Sequence, residues 1–300
     1  MRGSKEKDIT QTALEMYNDV FADIINVLLF NGENVVTEDS LTDVLQESIL
    51  KIDGGIRAQY RDIAKYWYNS KIKLSMFGLE NQTKPEKRMP LRVFGYDGTE
   101  YVKQAKKENN KEVLYPVITL VLYFGYNSRW NQPKSLFELL EIDERIKPYV
   151  NDFKINLFEI AYLDREKIDM FKSDFWILAD YLYQMRVNKD YVAGDTVIEH
   201  VDELLMLMSA MTKDYRFEET INEVKGKEHV TMCEVLDRVE ARGMEKGMEK
   251  GIAKGREEGI KEGTVQVLIS LVKDGILSIS DAAKRADMSE ESFRRYLEQC

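Results

Sequence analysis

Through residues 19–30, apolar side chains return every third or fourth position and stop at Asn31-Gly32, so the pattern predicts a helix closed by a turn. The runs 62–68 and 71–80 are short, aromatic and β-branched, with Asn69-Ser70 between them, which predicts two strands joined as a hairpin. Residues 116–125 are almost continuously apolar, as in a strand buried on both faces, and 155–163 is a last strand candidate. With residues 89–97 reading as a helix, the order is helix, two strands, helix, two strands. That order predicts an α/β core with a mixed sheet.

All five prolines (85, 90, 116, 133 and 148) lie in the first half, so the second half is expected to be mostly helical. Phe171, Phe175, Leu178 and Leu182 keep helical spacing, as do Val201, Leu204, Leu205 and Met208, and the Met-rich stretch 205–211 reads as packing. Glycine then recurs at 243, 247, 251, 255, 259 and 263 among Glu and Lys. Each glycine opposes helix by about 1 kcal/mol relative to alanine. The tract is therefore a flexible charged linker, or a helix whose glycine stripe lets a second copy approach and pack Met244, Met248, Ile252 and Ile260 into a homodimer. Residues 278–297 read as two helices capped by Ser280 and Ser289, a helix-turn-helix-like tail with Arg294 and Arg295 that contacts DNA or protein. The expected organisation is a core at 1–165, a helical subdomain packed on it at 166–240, the glycine repeat at 241–263 and the tail at 264–300.

A chain of 300 residues at 44% hydrophobic can bury a substantial core. No apolar run approaches the roughly 20 residues that span a bilayer, and residues 1–8 lack a signal segment, which reads as cytoplasmic with no membrane partner. Cys233, Cys300, His200 and His229 form no zinc-ligand set by spacing, so a catalytic metal is expected on oxygen ligands. The net charge of -10 argues against coating nucleic acid in bulk. Residues 84–112 nevertheless hold eight basic against five acidic residues, including Lys84, Lys87, Arg88 and Arg92. Such a strip suits a restricted DNA contact, or is an ordinary solvated face.

Phosphodiester hydrolysis needs a divalent cation to polarise the phosphate and generate hydroxide, and hard magnesium takes carboxylate oxygen and water. A hairpin turning at Asn69-Ser70 brings its far ends, Asp62 and Glu80, side by side, and Gln82 follows on the face of Glu80. An Asp followed by a strand ending Glu-Asn-Gln resembles the PD-(D/E)XK nuclease signature, with Gln in the place of Lys. Arg-Asp at 61–62, Phe-Gly-Leu-Glu-Asn-Gln at 77–82, the segment 89–97 followed by Tyr101 and Gln104, the apolar strand from Pro116, Glu-Val-Leu-Asp at 234–237 and the period-four glycines narrow the likeness. Over nearly its whole length the chain resembles the Rpn family of recombination-promoting nucleases and transposases.

That resemblance implies a PD-(D/E)XK-like sheet flanked by helices and a magnesium-dependent DNA endonuclease of low sequence preference, with manganese or calcium as stand-ins for magnesium. It implies that Asp62 and Glu80 bind the metal, with Asp19 in the region where related nucleases add a third acid, and that Gln82 occupies the lysine position. Gln can orient water or a phosphate oxygen but carries no charge, so charge must come from elsewhere. Arg88 and Arg92 are four apart and share a face if the helix includes both. The alternatives are a nuclease fold kept as a DNA- or protein-binding module, and an oligomeric assembly protein.

Overall fold

The computed structural model describes residues 14–44, 48–52, 55–59, 62–106, 113–212 and 214–299. Residues 1–8, Gly54, Arg61, the end of the basic strip at 107–112 and Cys300 lie outside them. The chain divides into two compact units, Met1–Asp237 and Arg238–Cys300.

Seven strands are described in the first unit: β1 (Leu41–Asp43), β2 (Ser48–Ile52), β3 (Gly55–Gln59), β4 (Ile63–Asn69), β5 (Ile72–Gln82), β6 (Val117–Tyr123) and β7 (Asn156–Glu159). β2 and β3 pair only with each other, while the rest form a sheet in the order β1-β4-β5-β6-β7. β1, β4 and β5 are antiparallel, and β5, β6 and β7 are parallel, so the expected mixed sheet is present. The hairpin turns at Ser70, whose φ of 55° is left-handed, and a bulge at Trp67/Tyr68 adjusts the register. Two differences from the sequence pattern stand out. Residues 155–163 make only the short β7, followed by a 3-10 turn at Ile160–Tyr162. β1, β2 and β3 are additional to the expected strands, because their residues show neither clean alternation nor a long apolar run.

Helices cover both faces of the sheet. α1 (Asn18–Phe30) buries Val20, Phe21, Ile24, Ile25 and Val27 and ends as expected, with left-handed Asn31 and Gly32 and the Gly32 amide bonded to the Asn26 carbonyl at 2.9 Å. α1 lies on the face that carries Lys65, Trp67 and Phe77: Lys65 Nζ is 5.6 Å from the Phe21 ring centroid, and Phe30 and Trp67 are 6.2 Å apart. α2 (Met89–Lys106) covers the other face, packing Met89 and Val93 against Val121, Tyr123 and Trp130. Thr119 donates to Asp97 at 2.7 Å, and Gln104 bonds both the amide and the carbonyl of Tyr115, so buried polar groups fix α2 along β6.

The rest of the unit is helical but more broken than its periodicity suggests: α3 (Arg165–Ile168), α4 (Phe175–Val187), α5 (Val201–Thr212) and α6 (Arg216–Val224) are separated by irregular segments. α4 joins the α1 face, where Phe175 meets Phe124 at 6.3 Å. α7 (Met232–Lys273) carries the whole glycine tract as continuous helix. In the second unit its last turns pack Val265, Leu268 and Ile269 against α8 (Ile279–Arg285) and α9 (Glu290–Gln299), around Phe293. The cap of α8 is Ser278 and not Ser280, which lies inside the helix; Ser289 receives the Ser292 amide at 3.2 Å, as expected of a cap.

Lys65 is 1% exposed, and its ammonium reaches the Met16 carbonyl at 2.7 Å and Asp43 at 2.5 Å. It joins the segment before α1 to the sheet. Lys65→Ala removes both the packed stem and the bonds and is expected to destabilise the fold by about 2–4 kcal/mol. Lys65→Met keeps the stem and should cost roughly half as much; urea denaturation of the two variants measures the difference, and equal losses would assign the whole effect to the ammonium.

Candidate functional site

The β4–β5 pairing sets Ile63 opposite Leu79, so one further step along each strand brings Asp62 opposite Glu80. Directly opposed residues of an antiparallel pair share a face. Alternation then puts Gln82 on the same side, toward α2. Glu80 is fully buried, and Arg92 of α2 forms an ion pair with its Oε1. Gln82 Nε2 also donates to Glu80 Oε1, at 3.3 Å. Arg92 contacts the Tyr96 hydroxyl at 3.2 Å, one helical turn on. Burial first, and then the charge of Glu80, raise the Tyr96 pKa, so it remains a hydroxyl.

Half-buried Asp62 sits at the sheet end and accepts the Asn81 backbone N–H at 2.7 Å. Asn81 turns its side chain to the α1 face and donates to Glu15 Oε2 at 2.7 Å. Glu15 stands just before α1, 2% exposed, and is absent from the residues that the sequence pattern marks as candidates. Burial pushes its pKa up to about 8, opposed by the Asn81 bond and reinforced by the charge of Asp62. A neutral Glu15 carries a proton to donate, and the Oδ1 of the same Asn81 amide is buried without a hydrogen-bond partner among the described residues. The only sequence signal for Glu15 is an acid beside apolar Leu14, one turn ahead of Asp19.

Asp19 belongs to another cluster, with its Oδ2 at 2.9 Å from His200 Nε2. Among the basic residues, Arg92 is engaged with Glu80, while Lys84, Lys87 and Arg88 are exposed between β5 and α2. Arg88 precedes the first helical residue and its carbonyl accepts the Arg92 amide at 3.1 Å. The helix therefore begins early enough for Arg88 to stand one turn before Arg92, as its cap.

The donors Asp62, Glu80 and Gln82 are all oxygen-bearing side chains on one face, and no Cys or His lies among them. Such a set fits a hard divalent cation. Burying Glu80 beside Asp62 leaves negative charge that Arg92 offsets in part, which also favours a cation there.

Residues 43–216, more than half of the chain, match the family model described as "Putative transposase, YhgA-like". No curated protein and no solved structure matched the chain.

Glu15 generates a pH dependence. Its carboxyl, ordinarily titrating at 4.5 and held to about 8 in the fold, keeps a proton that the unfolded chain gives up over that range. Without divalent cation, stability is full below the lower value and falls as pH rises through the upper one, by roughly 1.4 kcal/mol for each pH unit that separates the two. Glu15→Gln keeps an amide partner for Asn81 and cannot ionise, so chemical denaturation across this range should show a flatter profile. An unchanged slope in that variant would overturn the neutral Glu15.

Proposed function

The chain belongs to the YhgA-like transposase family, and on that premise we propose that it is a divalent-cation-dependent DNA endonuclease of the PD-(D/E)XK type, acting in recombination or mobile-element biology with little sequence preference. The observation that carries this reading is the register that sets Asp62 opposite Glu80, with Gln82 beside them and Arg92 above. Asp62 and Glu80 hold the cation, and magnesium suits their oxygens, with manganese or calcium in its place in vitro. When bound, it supplies Lewis-acid polarisation of the phosphodiester and a more acidic water.

Gln82 orients a water or a phosphate oxygen through its amide, and Arg92 brings the positive charge that Gln82 lacks. Lys84, Lys87 and Arg88, exposed on the chain between β5 and α2, meet the DNA backbone around that point. This local strip lets a chain of net charge -10 engage DNA at one place without coating it. No helix among the described residues is long and apolar enough to cross a membrane.

Dimerisation through α7 is part of the same proposal. A Cβ added at Gly247, Gly251, Gly255, Gly259 or Gly263 would meet nothing within 4 Å, and Met244, Met248, Ile252 and Ile260 are 61–67% exposed beside them. A second copy of this helix fills that open space and covers the apolar side chains.

Two experiments follow. Nicking of supercoiled plasmid with magnesium should fall by roughly a hundredfold or more in Asp62→Ala and in Glu80→Gln, with the circular dichroism spectrum unchanged. Undiminished nicking in either variant removes these residues from the site, and DNA binding without cleavage in the wild type leaves a binding module. Light scattering should find the full chain dimeric and a chain ending at Glu240 monomeric; two monomers would make the tract a tether.

A further inference from the structure

Asp19, Glu199 and His200 each offer one ligand atom, and these atoms lie within 4.8 Å of one another. They come from distant parts of the first unit. Asp19 is in the first turn of α1, and Glu199 and His200 immediately precede α5.

The imidazole is held from two sides. Asp174, 4% exposed, accepts the His200 backbone N–H at 2.6 Å and the Glu199 backbone N–H at 3.1 Å from each of its oxygens. The Tyr17 ring stacks on the His200 ring at 3.7 Å, and its own hydroxyl is tied to Glu203 at 2.9 Å. Backbone and ring plane are thereby set before any ligand arrives, as they are where a histidine serves as a metal ligand.

A hydrogen bond between Asp19 and His200 alone would explain that pair but not Glu199. Among the described residues the Glu199 carboxylate has no hydrogen-bond partner, is exposed, and is nonetheless turned toward a second carboxylate that repels it. Asp19 and Glu199 also line a cavity of about 320 Å³ together with Asp23, Asn34 and Thr37, which leaves room for water on the remaining coordination positions.

We propose that Asp19, Glu199 and His200 form a binding site for a transition-metal cation of the zinc class, separate from Asp62 and Glu80. A neutral imidazole nitrogen and two carboxylates are borderline donors that suit zinc and its neighbours better than magnesium. Two ligands at about 2.1 Å from one tetrahedral zinc stand about 3.4 Å apart, so closing the site asks up to about 1.5 Å of movement from exposed Glu199. The expectation that His200 takes no part in metal binding rests on linear spacing, and the fold brings it to Asp19 from 181 positions away. Bound there, the cation ties the first turn of α1 to the start of α5, four residues along the chain from Glu15.

The test is zinc titration of the chelator-treated full chain, in competition with a chromophoric chelator, using Asp62→Asn so that the nuclease acids are weakened. One zinc is expected to bind wild type and Asp62→Asn alike. Glu199→Gln should weaken it about tenfold and His200→Gln at least about a hundredfold. Glu199 has no packing role, so its variant decides the matter even if His200→Gln does not fold. Unchanged affinity in Glu199→Gln overturns the three-ligand site, and loss of the zinc in Asp62→Asn assigns the ion to the nuclease acids and overturns the proposal equally.

Discussion

A slip of one residue between β4 and β5 would either turn Glu80 and Gln82 from the α2 face to the α1 face or send the Lys65 ammonium away from the Met16 carbonyl, since side chains alternate along a strand. Register is therefore the constraint on which the remaining structure rests. Several independent features hold it. Ser70 adopts the left-handed turn, the bulge at Trp67/Tyr68 absorbs an extra residue, and Trp67 stacks on Phe77 at 5.8 Å. β6 pairs in parallel along the other edge of β5 from Met76 to Gln82. Because that second pairing also fixes β5, a slip would have to break two ladders at once.

Charge explains why the sheet end is built of so few groups. Glu80 is fully buried, and Arg92 spans from it to Tyr96. A buried carboxylate without a cation partner would be expected to take up a proton, as Glu15 does on the opposite face. The two buried acids thus meet the same cost with different partners: Glu80 lies beside a guanidinium, and Glu15, beside an amide, has its pKa pushed up by burial. Asp62, at the open end of the sheet, acts electrostatically on both Glu15 and Arg92.

The central hairpin and the buried β6 are legible because each leaves a strong linear trace, alternation about a turn in one case and an unbroken apolar run in the other. The pairing of Asp62 with Glu80 follows from counting outward from the turn. β1 to β3 leave no such trace, and β1 is held by its edge pairing with β4 and not by its own three residues. Glu15 and His200 are illegible for a different reason. Their significance lies in contacts 66 and 181 positions away, with Asn81 and Asp19, and nothing local distinguishes them from ordinary helix-end residues. Asp19 is legible as an acid on the first helix. The site it faces depends on where the irregular segment between α4 and α5 carries Glu199 and His200, which the linear pattern does not encode.

Glu15 and Asp19 are four residues apart, on either side of the extended Tyr17, and face different clusters, so the placement of α1 and of the segment leading into it governs both. That placement is mainly hydrophobic: Val20, Phe21, Ile24 and Ile25 are fully buried. Apolar burial is strong but non-directional, and by itself it would tolerate small sliding of the helix along the sheet. Directional contacts remove that freedom. Lys65 holds the Met16 carbonyl, Asn81 holds Glu15, Asp23 accepts the Lys172 and Ser173 amides at 2.8 Å, and Asn26 bonds both the amide and the carbonyl of Val36. All but the exposed Lys172 bond join buried or half-buried groups, where loss would leave a donor or acceptor unmet at a cost of about 1–3 kcal/mol apiece. The core supplies the attraction, and these few polar bonds specify the position at which two clusters of acids are assembled from one helix and the segment just before it.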